Sequence, residues 1–246
     1  MAKKPRTPPP PRKVQAPKQR QAPRQGVDPA RRRQFLFGAV GAVVVGVAIA
    51  LIVVFASGGS SKAGNPQAVA ATMRAAGCTL TTSPAGPSGE HIAKVTDKVT
   101  YTTYPPASGK HYGIPAIWGS YTRTVDPRQA VHNEEHGGIV IWLGPSVSSA
   151  ERQKVSDFYD SSPNAMLLTP IASATPGITY PAHKAPGSTI YLTAWTVEVK
   201  NGEVVNGKDV IAACPRFDEK AFTAFRDEFR GKGPERYKVS DLTPGT

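Results

Sequence analysis

The chain has 246 residues, 39% of them hydrophobic, and a formal net charge of +12, which allows one domain of ordinary size with additional segments. Residues 1–33 hold eleven of the 30 basic side chains and a single acid, Asp28, so most of the net charge lies in this tail. The tail also has eight prolines and no aromatic residue, which excludes a packed core and predicts a disordered basic tail over residues 1–34.

A basic, proline-rich tail has three interpretations. It could bind nucleic acid electrostatically, lie against anionic lipid headgroups, or remain solvated and set the topology of a membrane protein. The apolar segment that follows favours the last two interpretations, so no nucleic-acid partner is predicted.

An uninterrupted apolar segment extends from Phe35 to Ser57, 23 residues without a charged side chain. As a helix with a rise of about 1.5 Å per residue it would be roughly 35 Å long, enough to span a bilayer. Three arginines, residues 31–33, precede it, and the positive-inside rule then places the N-terminus in the cytoplasm. We therefore predict a single transmembrane helix over residues 35–57 in the cytoplasmic membrane, with residues 58–246 outside the cytoplasm.

A cleaved export signal is the alternative for the same segment. The stretch "RRQFLF" resembles a twin-arginine signal, and a cut after Ala56 would fit. Against it, the preceding tail is long and the apolar run is strongly hydrophobic for a signal peptide. Both interpretations send the remainder of the chain to the same side of the membrane.

The exported part begins with a linker, residues 58–64, followed by a helix that Asn65 caps and that Gly77 ends. A β-rich segment over residues 98–106 is stopped by two prolines. The run "GGIVIWLG" is continuously apolar between glycines, which is typical of a central strand.

Two helices and two strands are predicted after residue 145. "SSAERQKVSDFYDSS" forms the first helix, with a serine cap and Glu151 in its first turn. "NAMLLTPI" and "STIYLTAWTVEV" are strands, and "RFDEKAFTAFRDEFRGKG" is a helix capped by Asp218. Residues 65–240 are therefore an α+β domain, a small mixed sheet with packed helices.

Cysteine usage agrees with an oxidising compartment. Cys78 and Cys214 are the two cysteines of the chain, and outside the cytoplasm they are expected to form a structural disulfide. Two unpaired buried thiols are the alternative. A thioredoxin-type redox site is not predicted, because no C-x-x-C pattern is present.

The segment between Tyr104 and Gly138 is rich in loop-forming residues and carries three of the five histidines. His132, Glu135 and His136 form an H-x-x-E-H array. On a helix the two histidines would lie on one face and could share a metal ion, with Glu135 pointing aside as a supporting or general-base group. His111, about 20 residues upstream, is the candidate third histidine ligand of a zinc or copper ion.

Two alternatives to a metal-binding site remain. The array has the spacing of an inverted zinc-protease motif, but so few residues separate Pro127 from Gly137 that we expect no normal helix there. The histidines could instead hydrogen-bond backbone carbonyls and acids, and so fasten the loop to the sheet. We expect His91 and His183 to be exposed loop histidines.

Aromatic residues of the loop are interpreted in two ways. They are either anchors that bury the loop or the wall of a ligand pocket. The residues are Tyr104, Tyr112, Trp118 and Tyr121.

The paired motifs "YPPASGKHYGIPAIWGSY" and "VHNEEHGGIVIWL", with the later "LTAW", resemble domain-of-unknown-function family 3105 of membrane-anchored bacterial proteins. The resemblance covers roughly residues 65–237 and implies a class and a location but no activity. Glu134 stands where we would expect an apolar residue. The matched motif positions are Pro105, Pro106, Ser108, Gly109, His111, His132, Asn133, Glu135, His136 and Gly137.

Three functions are therefore compared below. The first is an anchored extracytoplasmic protein that binds a metal ion or small ligand through His111, His132, His136 and Glu135. The second is an interaction module that docks a cell-envelope protein and whose histidines only fasten a loop. The third is a metal-dependent hydrolase with Glu135 as its base.

Overall fold

The fold is described from a computed structural model, over residues 65–246. The predicted tail, membrane span and linker, residues 1–64, lie outside the described residues. Within residues 65–246, no helix combines the length and the apolar character that crossing a membrane requires.

Four α-helices form in this part of the chain, and three of them have the caps that the sequence predicts. The side chains of Asn65, Ser148 and Asp218 each accept a hydrogen bond from the backbone N–H three residues later, which satisfies a free donor of the first turn. The helices are α1 (Pro66–Ala75), α2 (Pro127–Glu135), α3 (Ser149–Ser161) and α4 (Glu219–Phe229), with a short 3₁₀ turn at Val239–Asp241.

Six strands form one mixed sheet in the order β1-β10-β9-β6-β7-β5. From β1 through β10 and β9 to β6, neighbouring strands are antiparallel, whereas β6 with β7 and β7 with β5 are parallel. Two further parallel pairs, β2-β4 and β3-β8, lie outside this sheet. The strands are β1 (Thr79–Pro84), β2 (His91–Ile92), β3 (Val99–Thr100), β4 (His111–Tyr112), β5 (Gly119–Ser120), β6 (Ile139–Leu143), β7 (Met166–Pro170), β8 (Ile178–Thr179), β9 (Ile190–Lys200) and β10 (Glu203–Cys214).

Strand β6 is buried on both faces, which explains its continuous apolar sequence. Ile139 and Ile141 face the main core, where α1, α3 and α4 cover the sheet. Val140 and Trp142 face a second core, to which the segment before α2 and the first turns of α2 contribute. The sheet therefore separates a helical layer from a layer built largely of loops, and the histidine-rich segment belongs to the second layer.

The predicted α+β class with a small mixed sheet is confirmed. The predicted helices at α1, α3 and α4 and the strands at β6, β7 and β9 all form. The β-rich prediction for residues 98–106 is wrong beyond the two-residue strand β3, because this segment instead turns through the two prolines. The long strand β10 was not predicted.

The predicted disulfide is confirmed between Cys78 and Cys214, which are 136 positions apart. Cys78 lies between α1 and β1, and Cys214 is the last residue of β10. Since Thr79 pairs with Ala213 in the antiparallel register, the two cysteines continue the ladder by one step, and the bond links the first described helix to the sheet.

Candidate metal centre

Two of the histidines are brought together by a short parallel pair of strands. His91 in β2 lies directly opposite His111 in β4, so their side chains project from the same face of the pair. Their ring centroids are 4.9 Å apart. His111 is completely buried, whereas the side chain of His91 remains 43% exposed, so the expectation of an isolated loop histidine at residue 91 is wrong.

A third histidine comes from α2, which packs against β4. Asp126 caps this helix and Pro127 occupies its first turn. The expectation that the H-x-x-E-H array has no helix is therefore wrong, since nine residues are enough when both a cap and tertiary packing support them. The helix places His132 with its ring stacked 5.0 Å from that of His91.

Glu135 lies one turn after His132 and points into the histidine cluster. Its Oε2 atom is 2.9 Å from His111 Nε2 and 3.7 Å from His91 Nε2. Its Oε1 atom accepts hydrogen bonds from the Ser88 hydroxyl at 2.7 Å and from the Gly89 N–H at 2.6 Å. The expectation that Glu135 would point aside is wrong, because these two donors fix the carboxylate with Oε2 toward the rings.

Glu135 is ionised at neutral pH. Burial alone would raise the pKa of Glu135, but the adjacent His111 imidazole and the donors at Gly89 and Ser88 outweigh burial and lower the pKa to about 2. The centre therefore presents a negative charge in a site that is closed to water on the Glu135 side.

His111 is oriented by its neighbours. Its Nδ1 atom is 2.6 Å from the carbonyl oxygen of Gly109, which can only accept, so Nδ1 is the donor of this hydrogen bond. The Nε2 atom then faces the Glu135 carboxylate at 2.9 Å. Neither His111 Nε2 nor Glu135 Oε2 makes a hydrogen bond, although both are buried.

Positive charge is needed between these two atoms. Buried polar atoms without partners are costly, and at a separation of 2.9 Å either a proton on Nε2 or a metal cation would satisfy both. A metal ion could bind both atoms at once. The residues at this position therefore fit a metal ion.

His132 is oriented in the same way as His111. Its Nδ1 atom is 2.6 Å from the carbonyl oxygen of Tyr112, which leaves Nε2 as the free atom. A hydrogen bond from Nδ1 to a carbonyl is the usual support of a metal-binding histidine. Burial and the nearby histidines lower the pKa of His132, so its ring is neutral at pH 7.

His136 ends α2 and faces a different partner. Its Nε2 atom lies 3.0 Å from His132 Nε2 and 2.8 Å from Oε2 of Glu235, which comes from the segment after α4. Burial, followed by the electrostatic interaction with the His132 ring, lowers the pKa of His136 to about 4. Burial and the nearby Glu135 raise the pKa of Glu235.

The ligand atoms form two overlapping groups, within each of which every atom lies within 4.8 Å of the others. We name them the inner group, which is His91, His111, His132 and Glu135, and the outer group, which is His132, His136 and Glu235. Three of the four predicted ligands, His111, His132 and Glu135, thus lie in the inner group. The fourth, His136, lies in the outer group.

Sequence reasoning missed His91 and Glu235. A signal for His91 was present, because "SGEH" at residues 88–91 repeats the pattern of "SGKH" at residues 108–111. Each copy ends at the first residue of one of the paired strands β2 and β4. No comparable local signal marks Glu235, which reaches the centre only through the packing of residues 231–235 on the end of α2.

A cleft of about 570 Å³ opens beside His91, which is the member of the inner group in its wall. Its wall also includes Asp97, Lys98 and Lys110. The side chain of His91 is 43% exposed, whereas those of His111 and Glu135 are completely buried, so solvent reaches the inner group at His91.

Several neighbouring residues fasten the loop that carries His111. Asn133 both accepts a hydrogen bond from the Ala116 N–H and donates one to the Ala116 carbonyl. Trp118 is 3% exposed and lies so close to Gly138 that a side chain at residue 138 would collide with its ring. Tyr104 stacks on His183 at 3.7 Å, away from the centre. The interpretation of Trp118 and Tyr104 as anchors is therefore confirmed.

Two further acids are buried, Glu134 in α2 and Asp209 in β10. Glu134, which stands where we expected an apolar residue, is completely buried, and both of its carboxylate oxygens lack a hydrogen-bond partner. Burial raises the pKa of Glu134 well above its ordinary value. Burial also raises the pKa of Asp209 to about 6, against the opposing effect of hydrogen bonds from Ser108 and Thr103.

Asp209→Asn should stabilise the fold at neutral pH. Because the pKa of Asp209 is higher in the folded state, ionisation lowers the free energy of unfolding as pH rises through the range from about 4 to 6. The variant does not titrate, so its stability relative to the wild type should increase by about 2–3 kcal/mol between pH 4 and pH 7.5. Urea unfolding at both pH values measures this difference, and a difference that does not change with pH would contradict the assignment.

Comparison with known proteins gives one match. A family model described as "Protein of unknown function (DUF3105)" matches residues 92–239, more than half of the chain, and this range includes every ligand atom of the two groups except that of His91. No curated protein and no solved structure matches the chain.

Proposed function

The chain belongs to the family of proteins of unknown function DUF3105. We propose that it is a membrane-anchored extracytoplasmic protein that binds a transition-metal ion. The ligands are the inner group, His91, His111, His132 and Glu135. Imidazole with a carboxylate suits zinc, and copper is the second candidate.

One observation carries this proposal. His111 Nε2 and Glu135 Oε2 are buried, lie 2.9 Å apart and have no hydrogen-bond partner, while the other polar atom of each side chain is held by the surrounding backbone. Orienting contacts around two free donor atoms are what a metal-binding site requires. In this arrangement one oxygen of Glu135 accepts hydrogen bonds and the other is a metal ligand. Glu135 is therefore not free to act as a general base, and we do not propose a hydrolase.

Zinc should bind stoichiometrically and stabilise the protein. The full-length chain, stripped of metal, should take up zinc in isothermal titration, and its stability should rise by about 2.7 kcal/mol when free zinc is a hundredfold above the dissociation constant. The binding should weaken below about pH 6, since protonated imidazole has no lone pair. His183→Ala, which removes a histidine outside both groups, is the control and should bind zinc like the wild type.

The second candidate is a cell-envelope interaction module in which the cluster only fastens loops. The hydrogen bonds from Ser88 and Gly89 to Glu135, and between His132 and the Tyr112 carbonyl, favour such a structural contribution. In that case histidine variants should lower the stability of the metal-free chain. Zinc and copper should then change neither the enthalpy of titration nor the melting temperature.

The membrane-anchored location has its own test. The proposal rests on the apolar run from Phe35 to Ser57 and on the arginines before it. A reporter enzyme that is active only outside the cytoplasm, fused after Gly64, should be active, and a reporter that works only in the cytoplasm should be inactive there. The reverse pattern would place the domain in the cytoplasm and would remove the oxidising environment from the account.

A further inference from the structure

His132 belongs to both ligand groups but has only one free lone pair. Its Nδ1 atom carries the proton that it donates to the Tyr112 carbonyl, so Nε2 is its single metal-binding atom. An imidazole nitrogen in this state binds one ion. The inner and outer groups therefore cannot both use His132 at the same time.

Assigning His132 to the outer group divides the six side chains evenly. The inner group then keeps His91, His111 and Glu135, and the outer group has His132, His136 and Glu235. Each set contains two histidines and one carboxylate, a combination that holds transition metals and leaves coordination positions open. We propose that the centre holds two metal ions, an inference that rests on the proposed function and extends it.

In the outer group, His136 Nε2 has two neighbours that each need a hydrogen, and a second ion would satisfy them instead. His136 Nε2 lies 2.8 Å from the Glu235 carboxylate and 3.0 Å from His132 Nε2, which has no proton. The Nε2 atom of His136 can carry at most one proton, so it cannot donate to both neighbours. A cation bound by the three atoms satisfies all of them together.

The backbone positions Glu235 for this purpose. The N–H of Gly231 donates to the Gly137 carbonyl at 2.7 Å, and the N–H of Glu235 donates to the Glu135 carbonyl at 3.1 Å. Gly233 packs so closely on Gly137 that any side chain at residue 233 would collide with the backbone there. The segment after α4 is thus fixed against the end of α2, and the Glu235 carboxylate faces His136 as a consequence.

The number of bound ions tests the inference. The full-length wild-type chain should bind two zinc ions in isothermal titration, checked by elemental analysis after desalting. Glu235→Gln and His136→Ala should each bind one, with the affinity of the remaining ion changed less than about tenfold, because His132 is then free to join the inner group. Glu203→Gln, which removes an exposed carboxylate at the start of β10, is the matched control and should still bind two.

Electron paramagnetic resonance gives a second readout. Copper(II) loaded to two equivalents should show magnetic coupling in the wild type, as expected for ions about 3.5–4 Å apart in a two-metal site. The coupling should be absent in Glu235→Gln at one equivalent. Two uncoupled copper signals in the wild type would overturn the two-ion centre.

The outcomes distinguish the two-ion inference from the proposed metal-binding function on which it rests. One zinc ion per wild-type chain, lost on His111→Ala and unaffected by Glu235→Gln, overturns the second ion and leaves the proposed function intact. No zinc bound by the wild type overturns both.

Discussion

His111→Ala should reduce zinc affinity at least a hundredfold. The side chain is completely buried in the inner group, its Nδ1 is held by the Gly109 carbonyl, and its Nε2 faces the Glu135 carboxylate, where the proposed ion would bind. Loss of a group that merely supports a metal ligand typically costs 10–100-fold, so loss of the ligand itself should cost more. Isothermal titration of the full-length variant beside the wild type measures the change.

A second variant keeps this result interpretable if His111→Ala folds poorly. Glu135→Gln preserves the shape of the side chain and can still accept the Ser88 and Gly89 hydrogen bonds at Oε1, but it removes the charge from Oε2. It should therefore fold and yet bind zinc at least tenfold more weakly. Wild-type affinity in both variants would show that the inner group does not hold the ion.

Removing the disulfide should cause the largest loss of stability. The bond between Cys78 and Cys214 closes a loop of 136 positions, and in the chain-entropy model this contributes about 4–5 kcal/mol, an upper figure for a bond whose effect also depends on the unfolded state. Cys78→Ala should lower the melting temperature by on the order of 10 °C. Differential scanning calorimetry under non-reducing conditions checks this.

The double variant provides the control for the disulfide. Once Cys78 is replaced, the bond is already lost, so replacing Cys214 as well should add little. If the double variant costs twice as much as either single variant, or if a reductant leaves the wild-type melting temperature unchanged, the bond does not stabilise the fold.

The elements with strong local patterns were predicted from the sequence. β6 is a continuous apolar run between glycines, and α4 has a capping aspartate with phenylalanines on one face. In both, burial and local preference favour the same structure, so a short window of sequence is sufficient.

Strand β10 was not predicted, and its sequence contains a misleading turn signal. Asn206-Gly207 is typical of a hairpin turn, but in the structure it lies at an irregularity in the pairing of β10 with β9. The turn between these strands is formed by Asn201 and Gly202, both of which have positive φ. Only the pairing of the two complete strands distinguishes the turn from the irregularity.

The histidine centre was predicted only in part, because some of its residues are brought together by long-range contacts. The spacing of His132, Glu135 and His136 is local and could be read from the sequence. The pairing of β2 with β4, which brings His91 beside His111, and the approach of Glu235 depend on contacts between distant parts of the chain. Four residues of β-strand carry no periodicity, so no local pattern predicts such a pairing.

X-ray absorption spectroscopy at the zinc edge tests the central claim most directly. The full-length chain loaded with zinc should show nitrogen and oxygen neighbours at about 2.0–2.1 Å, together with the outer-shell scattering of at least two imidazole rings for each ion. In Glu135→Gln the spectrum should change, whereas in His183→Ala it should not. A zinc spectrum without imidazole scattering would contradict a metal centre built from these histidines.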